Sequence, residues 1–229
     1  MFWIRINKNR INDNLFKIFI AILFASLISL CRAGNIYAFQ GGKEIHKSFK
    51  VEKGQKLLME LSSGGSISIT GWDKDEVVVD VAIKGRDQDN CLVNFDQSSA
   101  GIEIHSKYKN ESGSHSGSTH FEIKVPNKFN LKLHTMGGGI DIRDVEGKFT
   151  GRTMGGRIDL SSLKGYVELS TMGGEISLTD SEVDGKLSTM GGNVLIENVK
   201  GDVDGSTMGG KVTMKNVTQK SNHSSDTKE

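Results

Sequence analysis

The feature that most constrains this chain is a four-residue word, Thr-Met-Gly-Gly, which returns five times at a spacing of eighteen residues. The copies begin at Thr135, Thr153, Thr171, Thr189 and Thr207. Five of the eight methionines of the protein lie in this word. A fixed period of this length indicates stacked copies of one structural unit.

Each copy carries the pattern of a half-buried strand. Five and seven positions after the threonine the side chains are apolar, and the position between them is mostly polar. The two apolar columns contain Ile140, Ile158, Ile176, Val194 and Val212, and Ile142, Leu160, Leu178, Ile196 and Met214. Alternation of this kind predicts a strand with one face turned to a core.

A turn is predicted nine positions after the threonine. This column holds Asp144, Ser162, Asp180, Asn198 and Asn216. Such side chains bond the local backbone, and Asn and Asp also tolerate left-handed dihedrals. Gly147, Gly165 and Gly201 close the turn in three copies. In the copy from Thr171 the glycine is Gly185, two residues late, which predicts a shifted or bulged second strand.

One unit is therefore a strand, a turn, a second strand and a Gly-Gly turn, with too few inward side chains for a core of its own. Stacking would bury one continuous apolar column. We expect an all-β fold, a β-solenoid (β-helix) of 18-residue repeats with irregular N-terminal rungs. A β-sandwich or prism built from the same hairpin-like units is the alternative, and the lack of insertions favours the solenoid. The predicted turn glycines are Gly137, Gly138, Gly155, Gly156, Gly173, Gly174, Gly191, Gly192, Gly209 and Gly210.

The chain divides into four segments. Residues 1–38 read as a signal peptide, because basic residues precede fourteen apolar or small residues from Ile18 to Cys31. Residues 39–130 read as irregular rungs of the same domain as the regular repeats of 131–218. Residues 219–229 form a polar tail that we expect to be disordered.

Export follows from the leader. Cleavage after Ala38 is favoured over lipidation of Cys31, because bacterial lipoboxes usually have a small residue where Leu30 stands. An uncleaved anchor is a further alternative. After cleavage only Cys91 remains, and we expect no transmembrane span. The protein would then lie in the periplasm, on the outer surface or outside the cell.

The charge balance argues against nucleic acid as a partner. The chain has 29 basic and 28 acidic residues, and 24 and 27 remain after the leader is removed. A nucleic-acid-binding domain is normally marked by a basic surface, which a balance of −3 does not indicate.

The sequence resembles the bacterial putative-adhesin β-strand-repeat family, a domain of unknown function. The resemblance lies in Leu61–Gly71 with the Trp72-Asp73 continuation, and in Phe121–Pro126 leading through Leu131-Lys132-Leu133 into the repeats. It covers nearly all of the mature chain and implies an exported β-solenoid of the bacterial envelope. Related domains occur in envelope-stress systems. The resemblance supplies no catalytic residues, and the methionine in all five copies departs from the family pattern.

The methionine column consists of Met136, Met154, Met172, Met190 and Met208. These side chains could fill a corner of the core, which is the favoured interpretation, because methionine packs adaptably. They could instead form an exposed binding stripe for a partner. Binding of Cu(I) by the stacked thioethers is the third alternative.

Two other sets of residues could bear chemistry. Asp141 and Asp159 share a column in adjacent copies, about 5 Å apart, as do the carboxylates of retaining glycosidases, but Arg143 and Arg157 nearby favour surface ion pairs. The sequence argues against calcium binding of the β-roll type, because the later copies lack an aspartate at the position of Asp141 and Asp159. The histidines that fall within thirty residues of one another match no metal signature; they are His105, His115, His120 and His134.

The sequence therefore predicts an exported, non-enzymatic surface-binding module of the adhesin type, without cofactor, whose partner is an unknown protein or glycan. A periplasmic or membrane-apposed envelope-maintenance module is the alternative. A polysaccharide-acting enzyme would rest on the Asp141–Asp159 pair alone. Open solenoid ends would leave unpaired strand edges, so self-association through the ends is also predicted.

Overall fold

The computed structural model describes residues 42–110 and 115–218, and these residues form strands without any helix. The all-β prediction is confirmed. The predicted leader, residues 1–38, and the predicted tail, residues 219–229, lie outside the described residues. The strands are β1 (Lys43–Lys50), β2 (Lys56–Leu61), β3 (Ser66–Trp72), β4 (Glu76–Gly85), β5 (Cys91–Ser98), β6 (Gly101–Tyr108), β7 (Gly117–Pro126), β8 (Asn130–Thr135), β9 (Ile140–Arg143), β10 (Glu146–Thr153), β11 (Ile158–Ser161), β12 (Lys164–Thr171), β13 (Ile176–Thr189), β14 (Val194–Lys200), β15 (Val203–Thr207) and β16 (Val212–Thr218).

The C-terminal strands form two parallel runs, which we call the first and the second run. The first run is β9, β11, β13, β14 and β16, and the second is β8, β10, β12, β13 and β15. Partners in the first run lie eighteen residues apart, as Ile140 does from Ile158 and Ile158 from Ile176. Strand β13 belongs to both runs, because its first half pairs with β11 and its second half with β12.

The N-terminal strands extend both runs and then reverse direction. Strand β3 pairs in parallel with β9, and β2 pairs in parallel with β8. Beyond β3 lie β7, β4 and β1, where the pairings of β4 are antiparallel. Beyond β2 lie β6 and the antiparallel β5. The regular parallel runs are therefore continued at one end by antiparallel strands.

The core lies along the inward columns that the alternation predicts. Ile140, Ile158, Ile176 and Val194 are no more than 1% exposed. A further buried column, which the sequence analysis missed, lies at the turn and contains Val145, Leu163 and Val199. Full burial of one such side chain contributes about 1.5–3 kcal/mol. The core thus depends on many small contributions repeated along the chain.

The turn column adopts the left-handed backbone that its composition favours. The φ angles are 59° at Asp144, 55° at Ser162, 49° at Asp180, 57° at Asn198 and 51° at Asn216. Side chains link neighbouring turns, since Asn198 Nδ2 donates to Asp180 Oδ1 at 2.9 Å and Asn216 Nδ2 donates to Asn198 Oδ1 at 2.9 Å. The left-handed dihedrals predicted for this turn are confirmed, while the side-chain hydrogen bonds of Asn198 and Asn216 link neighbouring copies.

The shift or bulge predicted at Gly185 is wrong. Strand β13 is continuous, and its register with β12 runs unbroken from Lys164–Glu182 to Thr171–Thr189. Val183 takes the place opposite Gly165, and Gly185 the place opposite Val167. A valine and a glycine have exchanged positions in this copy, and hydrogen bonds to both neighbouring strands hold the register.

The two glycines of each Gly-Gly pair have different roles. A Cβ on the second glycine, Gly156, would lie 2.4 Å from the carbonyl of Gly138 in the preceding copy, and φ at Gly156 is +134°. Gly174 stacks in the same way on Gly156, with its Cβ position 1.9 Å from the carbonyl oxygen. A Cβ on the first glycine, Gly155, would meet nothing within 4 Å. The second glycine is a steric requirement of the stack, and the first is not.

The threonine that precedes each pair ties the turns together. Thr153 Oγ1 donates to the Gly138 carbonyl at 2.9 Å, and Thr171 Oγ1 donates to the Gly156 carbonyl at 2.9 Å. The same oxygen of Thr171 accepts from Gly174 N at 3.3 Å. Thr171 is 3% exposed, so its hydroxyl is satisfied by the turn of the preceding copy and by its own turn rather than by water.

Replacing Gly156 by Ala should therefore destabilise the fold strongly, while replacing Gly155 by Ala should not. We expect Gly156→Ala to lower the free energy of unfolding by about 3 kcal/mol or more, from overpacking and an unfavourable φ. We expect Gly155→Ala to change it by less than about 1 kcal/mol. Denaturant unfolding of the two variants is the measurement, and equal losses would contradict the steric assignment.

Candidate functional site: the methionine stripe

The five repeat methionines lie on the outside of the molecule, so the favoured prediction that they fill the core is wrong. Their exposed fractions are 51% for Met136, 37% for Met154, 47% for Met172, 50% for Met190 and 81% for Met208. We call these five residues the methionine stripe. The reason is local: the preceding threonine points inward, and the next residue of an extended chain points to the opposite face.

The backbone keeps the methionine stripe in register. Met154 N donates to the Thr135 carbonyl at 3.2 Å, and Met172 N donates to the Thr153 carbonyl at 3.3 Å. The ladder of hydrogen bonds thus continues one residue past each strand end. Strand alternation therefore applies as far as the methionine, which is the signal that could have identified its direction from sequence.

Small residues border the methionine stripe on both sides. On one side the stripe forms a wall of a groove of about 430 Å³, whose lining includes Ser170, Ser188 and Ser206. On the other side stand the first glycines of the turns, of which Gly155 and Gly173 face open space. The thioether side chains therefore form a ridge that protrudes above the small residues beside it and is accessible to a partner.

The surface chemistry of this ridge is apolar and adaptable. Methionine has a flexible, polarisable side chain that suits irregular and promiscuous contacts. A contiguous exposed apolar surface usually marks an interaction site. The arrangement fits the binding-stripe interpretation. That interpretation and the Cu(I) alternative both stay predictions.

The two aspartates of the first run are adjacent but are each bonded to an arginine. Asp141 and Asp159 are register partners on β9 and β11. Asp141 accepts two hydrogen bonds from Arg143, at 2.7 and 2.6 Å, and Asp159 accepts one from Arg157 at 2.6 Å. The hydrogen bond that Arg143 donates to Asp141 raises the pKa of the Arg143 guanidinium, which stays charged. The surface ion pairing predicted for these residues is confirmed.

The histidines have separate environments. His105 and His134 lie on the strands that flank β2, both in register with Glu60. His120 lies near the other run of strands, where its Nδ1 is 2.7 Å from Ser66 Oγ, and His115 stacks on Tyr108 with ring centroids 3.9 Å apart. Within residues 42–110 and 115–218, no three His, Cys, Asp or Glu side chains are grouped as metal ligands.

Comparison with known proteins gives likeness in structure only. No protein-family model and no curated protein sequence matches the chain. A structure named "putative cell adhesion protein" from Clostridium sporogenes is similar at a TM-score of 0.48 and 15% identity, covering 79% of this chain and 100% of that one. A "putative adhesin" from Bacteroides fragilis is similar at a TM-score of 0.41 and 14% identity, covering 78% and 94%.

A third similar structure is named differently. It is a "putative lipid binding protein" from Parabacteroides distasonis, with a TM-score of 0.24 and 14% identity, covering 79% of this chain and 98% of that one. The predicted resemblance to adhesin-named proteins is confirmed for the structural neighbours. In the part of the chain that the structure describes, no helix has the length and apolar character needed to cross a membrane.

Polar replacements in the methionine stripe should leave the fold intact. For Met154→Ser combined with Met172→Ser we expect a change in unfolding free energy of less than about 1 kcal/mol, because exposed substitutions cost little. The matched control is Leu160→Ser combined with Leu178→Ser, two buried positions of the same copies. Each control substitution should cost about 2–5 kcal/mol, as large-to-small core changes do. Thermal unfolding followed by circular dichroism checks both; a large loss in the methionine variant would mean that these side chains are structural.

Proposed function

We propose that this chain is an exported, non-enzymatic β-solenoid that binds a protein partner through its methionine stripe. The exposure of all five repeat methionines is the observation that carries the proposal.

The hydrogen-bond register supports a solenoid scaffold. In both parallel runs, partners lie eighteen residues apart, and β13 passes from one run to the other without a break. A chain that returns to the same register after each eighteen residues winds as a solenoid with two strand layers. Neighbouring strands lie about 4.8 Å apart, so five methionines at this spacing span about 20 Å.

The contacts of the residues beside each methionine support a role for its side chain at the surface. The threonine before it and the second glycine after it are fixed by the stack, whereas the methionine side chain lies outside the buried core and is 37% to 81% exposed. Five such side chains place apolar surface in contact with water, which the fold itself does not require. A binding role gives them a function that the fold does not.

The chemistry favours a protein over a glycan. A thioether offers no hydrogen-bond donor and only a weak acceptor, whereas sugar hydroxyls require both. A ridge of flexible apolar side chains instead complements an apolar stripe or groove on another protein. The non-enzymatic assignment is supported by Asp141 and Asp159, because each carboxylate is occupied by an arginine.

The location can be tested by protease shaving of intact cells, with immunoblotting for this chain. We expect digestion on intact cells, because an adhesive surface must be reachable from outside. A lysed sample is the control, in which the protease must reach the whole chain. Protection until lysis would contradict adhesion and would favour the envelope-maintenance alternative.

The methionine stripe can be tested by its chemistry. We expect Met172→Gln combined with Met190→Gln to weaken binding of the purified protein to immobilised extracellular-matrix proteins by at least about tenfold, as loss of two central contacts does. The matched control, Met172→Leu combined with Met190→Leu, keeps the apolar surface and should bind within about threefold of the unchanged protein.

Equal binding by the glutamine and leucine variants would contradict a role for the stripe. Binding to immobilised polysaccharides but not to proteins would contradict the choice of partner. Unfolding curves for both variants ensure that neither result reflects a loss of fold.

A further inference from the structure

The last two strands of the described chain each have a strand partner on one side only. Within residues 42–110 and 115–218, β16 pairs with β14 alone and β15 with β13 alone. The N–H and C=O groups along their outer edges are therefore not bonded to another described strand. Such an edge is a template for pairing with a further strand.

The core is also uncovered at this end. Ile142, Leu160, Leu178 and Ile196 are no more than 2% exposed, but the same column ends in Met214, which is 47% exposed. Val212 and Val217 are half-buried, whereas Val194 and Val199 in the preceding copy are fully buried. Within the described ranges, no further strand covers the last copy as each copy before it is covered.

The opposite end of the structure is finished differently. There the edge strands are β1 and β5, which run antiparallel to their neighbours. The rings of Phe49 and Phe95 from these two strands lie 6.1 Å apart and pack against the core. Strand β1 also carries three lysines, which discourage pairing at an edge. In the described part of the chain the two ends are therefore unlike: antiparallel strands finish one end, and the last copy leaves an apolar layer open at the other.

We propose that a second copy of this chain covers this end, so that two copies join tail to tail about a two-fold axis. With the axis parallel to the strands, β16 of one copy lies against β15 of the other. The Cβ position of Gly205 in β15 lies 3.3 Å from Val212 Cγ1 in β16, so the chain folds back at the turn between them and the two strands run in opposite directions. The rotation preserves the strand direction, so the new pairs are antiparallel. Two equal interfaces form, as a two-fold contact requires.

Charge complementarity supports this pairing over others. Asp204 is exposed at the second position of β15, and Lys215 is exposed in the middle of β16. The tail-to-tail arrangement brings Lys215 of each copy near Asp204 of the other. Pairing β16 of one chain with β16 of the other would instead bring the two Lys215 side chains together. The eleven residues after β16, 219–229, contain no apolar side chain.

The test is a charge exchange in the full chain, followed by sedimentation velocity over a range of protein concentrations. We expect the unchanged protein to form dimers, and Lys215→Glu alone or Asp204→Lys alone to weaken dimerisation by at least about tenfold, since like charges then face each other twice. Mixing the two single variants should restore dimers, because each interface regains one acid and one base.

The control variant is Lys164→Glu, which makes the same change of charge on an exposed position of β12 and should not alter dimerisation. Restoration by mixing also separates the interface from the loss of the Lys215 contact to Glu197, whose Nζ–Oε1 distance is 3.8 Å, within one copy.

Three outcomes would overturn the proposal. The unchanged protein could remain monomeric at all concentrations. The single variants could dimerise as well as the unchanged protein, which would place the contact elsewhere. Deleting residues 219–229 could convert a monomer into a dimer, which would show that this segment, and not a second copy, covers the end.

Discussion

The close approach of successive Gly-Gly turns is the constraint on which the repeated part of the structure depends. The second glycine of one copy sits over the carbonyl of the second glycine before it, at distances that leave no room for a Cβ. The threonine hydroxyl then bonds this carbonyl and satisfies it inside the corner. A turn with any larger residue would separate the strands on either side, and the parallel ladders of both runs would lose their hydrogen bonds.

The outward direction of the methionines follows from this corner. The threonine must face inward to reach the glycine carbonyl, so its neighbour faces solvent. The identity of that neighbour is left open by the fold, since neither packing nor hydrogen bonding in the core involves its side chain. The fold does not require an apolar residue at this position, yet methionine occupies it in all five copies. This is the observation on which the proposed binding role rests.

The sequence allowed much of the scaffold to be predicted but not the candidate site. The spacing of eighteen residues and the alternation of Ile140 and Ile142 were enough to predict the strands, and Asp144 and its equivalents the left-handed turn. Core packing was favoured for Met154 because methionine packs adaptably, whereas Met154 N is still bonded to the ladder, so the strand alternation continues to this residue and turns its side chain outward. The place of Gly185 was mispredicted because a local shift was inferred from one residue, while its register is set by two neighbouring strands.

The parallel register also determines how the molecule bears a mechanical load. In each run the hydrogen bonds point from one copy to the next, so a pull along the stacking direction separates one copy at a time, by breaking one pair of strands in each run. Each copy that detaches would release eighteen residues, or about 60 Å of extended chain. A surface protein of this design would lengthen in steps under tension while the copies still in place kept their exposed ridge intact.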